Sequence, residues 1–374
     1  MLNSYLNNEF SYYNPVKIKF GFDALTVIKQ LSFLNKKRVL IITSKGWSDR
    51  PFFSELRSQF QECIVYNDVP PNPDFKSIEN CYNSVWSSDF QPDVIISLGG
   101  GSVMDFSKAI CLYDNNKDFN TIRNLIKDKH YPCNVNNIPI VAIPTTSGTS
   151  SEITPWATIW DFDEKKKYSL HHELCWVHTA IYDPKLTITK PKDLTLITGL
   201  DALSHSFESI WNKNQNEIST EYAVQASKLI IKTLPSLLND LSNLDLRTSM
   251  MKASMLSGLA FSNTQTAIAH AISYYLTANK NIPHGIACSF SLPIIIDALL
   301  QKDLHSEFPK IHHAFSEIFG SLTSKHLYDF FNILSISNDI NQFELNDIEF
   351  LELKNSVVSN QRAQNSIIEF HEIF

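Results

Sequence analysis

The chain has 374 residues, 43% of them hydrophobic and 19% charged, and carries a formal net charge of −7. That length allows two domains, and the acidic balance argues against nucleic acid or an anionic membrane as partner, since both favour basic surfaces. No stretch approaches the ~20 apolar residues of a membrane span. The opening MLNSYLNNEFSYYNP lacks the basic-then-apolar order of a secretory signal. Six cysteines (Cys63, Cys81, Cys111, Cys133, Cys175 and Cys288) are scattered without C-x-x-C spacing. The pattern predicts reduced thiols in a cytoplasmic protein with a small-molecule partner, not a disulfide framework or a zinc–thiolate site.

In chain order, RVLIIT (38–43), CIVYN (63–67), DVIISLGG (93–100) and IPIVAIPTT (138–146) read as strands, and their nearly continuous apolar character suits a parallel sheet covered on both faces. Helix-like segments lie between them, among them SDRPFFSELRSQF (48–60) and FKSIENCYNSVWSS (75–88). The alternation predicts a doubly wound α/β domain. ATIWDFDEKKKYSL (157–170) follows, with charged turn residues between two hairpin arms. After IYDPKLTITKPKDL (181–194), apolar residues recur at helical spacing to the C-terminus. The expected division is an α/β dinucleotide-binding domain over 1–184 and an all-helical, metal-binding domain over 185–374.

Three of only ten glycines are consecutive, in SLGGGSVMDFSKAI (97–110), where a strand runs into an amphipathic helix. Such a turn lets backbone approach a ligand and offers helix N-terminal amides to a phosphate. It matches neither the G-x-G-x-x-G fingerprint nor a Walker A loop, so a tight turn that binds nothing remains open. A second polar cluster, PTTSGTSSE (144–152), follows the next strand. Two such loops at neighbouring strand ends would form a crevice of the kind that binds nucleotides.

Asp201 and His205 lie four apart in GLDALSHSF, on one side of a helix. His270 sits on an apolar helical stretch, and His284 follows Pro283 at a turn. Singly, His270 reads as a core histidine and Asp201–His205 as a buried hydrogen-bonded pair. Together, one carboxylate and three imidazoles suit zinc or iron(II) with coordination positions left for substrate.

GGGSVMDFSKA, PTTSGTSSEIT, GLDALSHSFES, AHAISYYL and IPHG resemble, in order and spacing, the iron-containing (group III) alcohol dehydrogenases, over about residues 15 to 290. The resemblance implies a dehydroquinate synthase-like fold with a nucleotide domain, a helical domain and an active site in the cleft between them. It implies Asp201, His205, His270 and His284 as ligands of a divalent metal, iron(II) first and zinc as the alternative. NADH or NADPH would be bound by Ser44, Lys45, Gly99, Gly100, Gly101, Ser102, Asp105, Thr145, Thr146, Ser147 and Thr149. The implied chemistry is hydride transfer between nicotinamide and a carbonyl polarised by the metal. A homo-oligomer, dimer or larger, is implied as well.

The chain departs from the family pattern at two places. Many members carry a further histidine four residues after the third ligand, thought to relay a proton; here Tyr274 stands there, with a phenol whose ordinary pKa is near 10. NAD-preferring members often end the first strand with an aspartate, whereas here Ser44 is followed by Lys45, which relaxes the exclusion of a 2′-phosphate. TPWATIWD, KKYSL, HSFESIWN and AHAISYYLTA resemble the phosphonoacetaldehyde reductases within that family. This branch implies an anionic substrate, for which Trp156, Lys167, Ser169, His171 and Trp211 are the candidate pocket residues. A broad-specificity primary alcohol dehydrogenase, a dehydroquinate-synthase-like lyase and a nucleotide-binding sensor are the competing readings.

Overall fold

A computed structural model describes residues 9–128, 134–164, 166–321 and 323–374. The chain forms two compact units. One comprises Pro15–Thr195 with Asp240–Met251, and the other Leu196–Asn239 and Lys252–Phe374 with the described residues up to Asn14. The compact break therefore falls after Thr195, later than the change of texture at 184. Arg247 explains why a later segment packs with the α/β unit. Its buried guanidinium donates to Thr195 Oγ1 (2.9 Å) and to the Lys190 carbonyl (3.0 Å).

Among the described residues, the first unit contains ten strands. They are β1 (Lys17–Phe20), β2 (Val39–Thr43), β3 (Cys63–Tyr66), β4 (Val94–Gly99), β5 (Leu112–Tyr113), β6 (Asn136–Asn137), β7 (Ile140–Pro144), β8 (Trp156–Asp161), β9 (Lys166–His171) and β10 (Thr179–Tyr182). Six of them form a wholly parallel sheet in the order β1-β10-β7-β4-β2-β3. Every residue of β2, β4 and β7 is buried, as continuous apolar runs require in a sheet covered on both faces. The chain leaves β2 for β3 on one side and returns through β4 on the other. The switch point of the topology, where doubly wound folds bind ligands, therefore lies at the carboxyl ends of β2 and β4. Thr43 Oγ1 ties these two ends together through the Leu98 carbonyl (2.8 Å). Strands β8 and β9 form the expected hairpin, with Trp156 opposite His171 and Trp160 opposite Lys167.

The second unit is helical among the described residues. Its principal elements are Lys192–Ile210, which begins at the unit boundary, Glu217–Asn239, Ile268–Lys280, His284–Ser289, Leu292–Leu300, Pro309–Phe319 and Asp347–Val358. The expected fold class, an α/β unit and an all-helical one, is what the structure shows among the described residues. No helix among the described residues is long and apolar enough to cross a membrane.

Candidate metal centre and nucleotide-binding loops

The switch point gathers the loops that the sequence singled out. Gly99 pairs with Pro144 in the sheet register, and the Thr145 amide donates to the Gly99 carbonyl (2.9 Å). The glycine turn and the threonine-rich loop are thus neighbours at one sheet edge. Gly101 opens the helix Gly101–Cys111, and a Cβ on it would lie 2.6 Å from Thr149 Oγ1. Glycine at 101 is needed for this close approach of the two loops. The first amides of that helix have no intrahelical acceptor, the usual condition for anion binding. Gly100, Thr146 and Ser147 belong to the same pair of loops, and Ser102 Oγ donates to the Pro71 carbonyl. Ser44 follows β2 as the N-cap of a short helix. Lys45 pairs with Asp68 at 2.8 Å, both side chains being exposed.

Asp105 follows the glycine turn by one helical turn and joins it to the neighbouring loop and hairpin. It is half-buried, and its oxygens accept from Ser151 Oγ (2.6 Å) and the Thr158 amide (2.8 Å), so it fastens the polar loop and the hairpin. Lys108, one turn on and fully buried, donates to the Ser151 carbonyl (2.6 Å), Ser151 Oγ (2.8 Å) and the Trp156 carbonyl (2.5 Å). On the hairpin, alternation puts Trp156, Lys167, Ser169 and His171 on one face. The Trp156 and His171 rings stack with centroids 3.7 Å apart. Trp211 belongs to the helical unit. It is fully buried between Phe207 and Phe315, and its indole N–H has no hydrogen-bond partner, which makes it a core side chain.

The second polar assembly lies wholly in the helical unit. The helix Lys192–Ile210 carries Asp201, His205 and Glu208 at positions i, i+4 and i+7, one buried face. His270 lies in the first turn of Ile268–Lys280, and His284 opens the helix His284–Ser289. A Cβ on Gly285 would collide with the Ile197 carbonyl, so glycine lets this last helix lie against the Asp201 helix. Ser204 Oγ reinforces the contact by donating to the Cys288 carbonyl (3.0 Å).

Three imidazoles converge on one oxygen. From Asp201 Oδ1, His270 Nε2 is 3.5 Å away, His205 Nε2 3.7 Å and His284 Nε2 3.8 Å. Ligand atoms about 2.0–2.2 Å from one tetrahedral ion stand about 3.3–3.6 Å apart, so the spacing suits donors around a common cation. His270 Nε2 is buried without a hydrogen bond. Its other nitrogen meets Glu208 Oε2 at 2.5 Å, and its backbone amide donates to Glu208 Oε1 at 3.0 Å. With Nδ1 donating its proton to Glu208, the Nε2 lone pair faces the cluster. His284 Nδ1 lies 3.4 Å from Ser273 Oγ, which itself donates to the His270 carbonyl (2.7 Å). The same tautomer follows for His284.

The electrostatics show how much positive charge the cluster draws: against the cost of burial, Glu208 and Asp201 raise the His270 pKa to about 10. Burial alone would raise Asp201, but the imidazoles, His205 foremost, hold its carboxyl well below the usual carboxylate range. Glu208 is likewise held low, His270 outweighing the cost of burial. No lysine or arginine among the described residues pairs with either carboxylate. Two ionised carboxylates in an apolar interior need positive charge close by. His284 is 34% exposed where Asp201 is 6%, so the cluster opens to solvent at His284. Tyr274 lies beside that opening, its ring parallel to His284 with centroids 6.4 Å apart.

Comparison with known proteins follows the same lines. Residues 15–184 match the iron-containing alcohol dehydrogenase family, and residues 195–365 match the C-terminal part of the Fe-containing alcohol dehydrogenase family. The chain belongs to the iron-containing alcohol dehydrogenases. Among relatives of this family, the sulfoacetaldehyde reductase of Bilophila wadsworthia is 31% identical over 77% of this chain and 74% of its own. The 1,3-propanediol dehydrogenase of Klebsiella pneumoniae is also 31% identical, over 76% and 74%. The crystal structure of sulfoacetaldehyde reductase from Bifidobacterium kashiwanohense in complex with NAD+ superposes with a TM-score of 0.88 at 26% identity, covering 98% of this chain and 96% of that one.

Two members of the helical cluster escape a reading by family ligands. Glu208 stands within HSFES, three residues after His205, where a buried acid on the Asp201 face was the available signal. Cys288 reads from sequence as one scattered thiol. The structure places its Sγ 3.8 Å from Asp201 Oδ1.

Proposed function

We propose that this iron-containing alcohol dehydrogenase is a metal-dependent, nicotinamide-linked aldehyde reductase whose preferred substrate is phosphonoacetaldehyde, reduced to 2-hydroxyethylphosphonate. The observation that carries the reductase reading is the convergence of three imidazole Nε2 atoms on Asp201 Oδ1, with Glu208 orienting one of them. In this reading Asp201, His205, His270 and His284 hold a divalent ion, iron(II) or zinc. Bound there, the ion supplies Lewis acidity toward a carbonyl oxygen, and NADH or NADPH supplies the hydride.

The chain's own residues do the rest. Gly100, Gly101 and the Thr145–Thr149 loop let a cofactor diphosphate approach the amides at the start of the helix Gly101–Cys111. Glu208 keeps His270 in one tautomer and orientation. Tyr274 Oη, beside the exposed edge of the cluster, passes a proton between solvent and the nascent alcohol. The phosphonate preference rests on the branch resemblance and on relatives that reduce sulfoacetaldehyde, a two-carbon aldehyde with a tetrahedral anionic group. Lys167, Ser169 and His171, with Trp156, are the proposed contacts for that group.

Sulfoacetaldehyde is the second reading, favoured by those same relatives. Oxidation of NAD(P)H by metal-reconstituted enzyme, followed with phosphonoacetaldehyde, sulfoacetaldehyde, acetaldehyde and butanal, decides among them. The expected result is a kcat/KM highest for phosphonoacetaldehyde and abolished by chelation. A preference for the plain aldehydes would return the protein to the broad-specificity alcohol dehydrogenases. For the cofactor, Lys45→Ala should raise KM for NADPH and leave NADH unaffected. Equal KM changes for both would show that Lys45 serves only its pair with Asp68.

A further inference from the structure

The helical cluster contains a fifth donor. His284 and Cys288 lie four apart on one helix and so share a face. Cys288 is fully buried. The ligand atoms of Asp201, His270, His284 and Cys288 all lie within 4.8 Å of one another, and His205 is outside that set. Cys288 Sγ stands 3.8 Å from Asp201 Oδ1, beside 3.8 Å for the His284 nitrogen and 3.7 Å for that of His205. Independently of the thiol, the buried His270 Nε2 has no hydrogen bond and points at the same carboxylate oxygen.

We propose that Cys288 is a metal ligand in its own right, and that thiophilic divalent ions are held here by Asp201, His270, His284 and the Cys288 sulfur. The proposal rests on the reading of this cluster as a metal centre and adds a selectivity to it. Asp201 with three histidines is a hard-to-borderline set that suits iron(II), whereas exchanging one imidazole for sulfur favours zinc, cobalt(II) or cadmium. His205 and Cys288 flank Asp201 as alternative fourth donors, so one scaffold offers two ligand sets. When the sulfur binds, the S–H bond breaks, a metal–sulfur bond forms and the proton leaves to solvent. No electron is transferred. The alternative use of the thiol is a hydrogen bond to Asp201, which leaves it protonated; Sγ also lies 3.5 Å from the Gly285 carbonyl.

The test is the electronic spectrum of the full-length protein loaded anaerobically with cobalt(II), beside Cys288→Ser, Cys288→Ala and Asp201→Ala. The expected spectrum has visible d–d bands together with a sulfur-to-cobalt charge-transfer band in the near ultraviolet. Both Cys288 variants should lose the near-ultraviolet band, keep stoichiometric cobalt and keep the visible bands. In competition with a chromophoric chelator, their affinity should fall for zinc and hold for iron(II). Bound cobalt with visible bands but no charge-transfer band in the unmodified protein would overturn the sulfur ligand and leave the metal centre standing. Equal, negligible cobalt binding by the unmodified protein and Asp201→Ala would overturn both.

Discussion

Glu208→Gln tests the construction of the metal centre without touching a candidate ligand. Glu208 is fully buried and accepts from His270 Nδ1 at 2.5 Å and from the His270 amide at 3.0 Å, with the Ala267 backbone adding a further hydrogen bond. Glutamine has the same size but only one acceptor oxygen. The donors would then face one carbonyl and one NH2, so at least one donor loses its partner and the negative charge behind the imidazole disappears. A hydrogen bond to a charged group contributes about 1.5–3 kcal/mol, and about 1.4 kcal/mol corresponds to tenfold in an equilibrium constant. The expected loss of metal affinity is therefore about 10–100-fold, the range known for partners one shell beyond a metal. Equilibrium dialysis against a competing chelator measures it, with a thermal melt to show that the variant is folded. A folded Glu208→Gln protein with unchanged iron and zinc affinity would refute the orienting role.

Three other outcomes follow from the same geometry. Gly285→Ala puts a methyl group into the Ile197 carbonyl; the helix bearing His284 must shift, costing about 1–3 kcal/mol of stability and weakening metal binding together, as denaturant unfolding and dialysis would register. Lys108→Met leaves the Ser151 and Trp156 carbonyls without their buried donor and should cost about 1–3 kcal/mol for each in denaturant unfolding, with a smaller loss pointing to water taking its place. Arg38 donates to Asp93 in a fork (3.3 and 3.2 Å) and holds its carboxyl below the usual range against the opposing effect of burial. Because the folded pKa is lowered, that stabilisation is complete above the ordinary carboxylate range and is lost as pH falls through the folded value. With both side chains about a third exposed, Arg38→Gln should cost little near neutral pH, and the difference from the unmodified protein should vanish in acid on denaturant unfolding; a difference that persists there would assign it to packing.

Much of the fold was legible because long buried strands leave unbroken apolar runs. Residues 39–43, 94–99 and 140–144 are such runs, and all lie at the sheet centre. Two neighbouring strands on one side of the sheet, β1 and β10, were not legible. Lys17–Phe20 alternates charge with apolar residues and is mostly exposed, and Thr179–Tyr182 is only four residues long within what reads as a connection. Their strand character comes from pairing with each other and with β7, which no local pattern encodes.

By itself, the sequence determined the two classes of architecture and the glycine and threonine loops, because helical spacing and strand periodicity are local properties of the chain; His205, His270 and His284 were joined to Asp201 by the family resemblance. Tertiary structure alone decided the rest. It turned Asp105 and Lys108 toward the hairpin, buried Trp211 among phenylalanines, and set Glu208 behind His270 and Cys288 beside Asp201. Glu208 lies 62 residues from His270, and Cys288 lies 87 from Asp201. Contacts over such separations depend on how helices pack, here on a glycine that lets one helix lie against another's backbone.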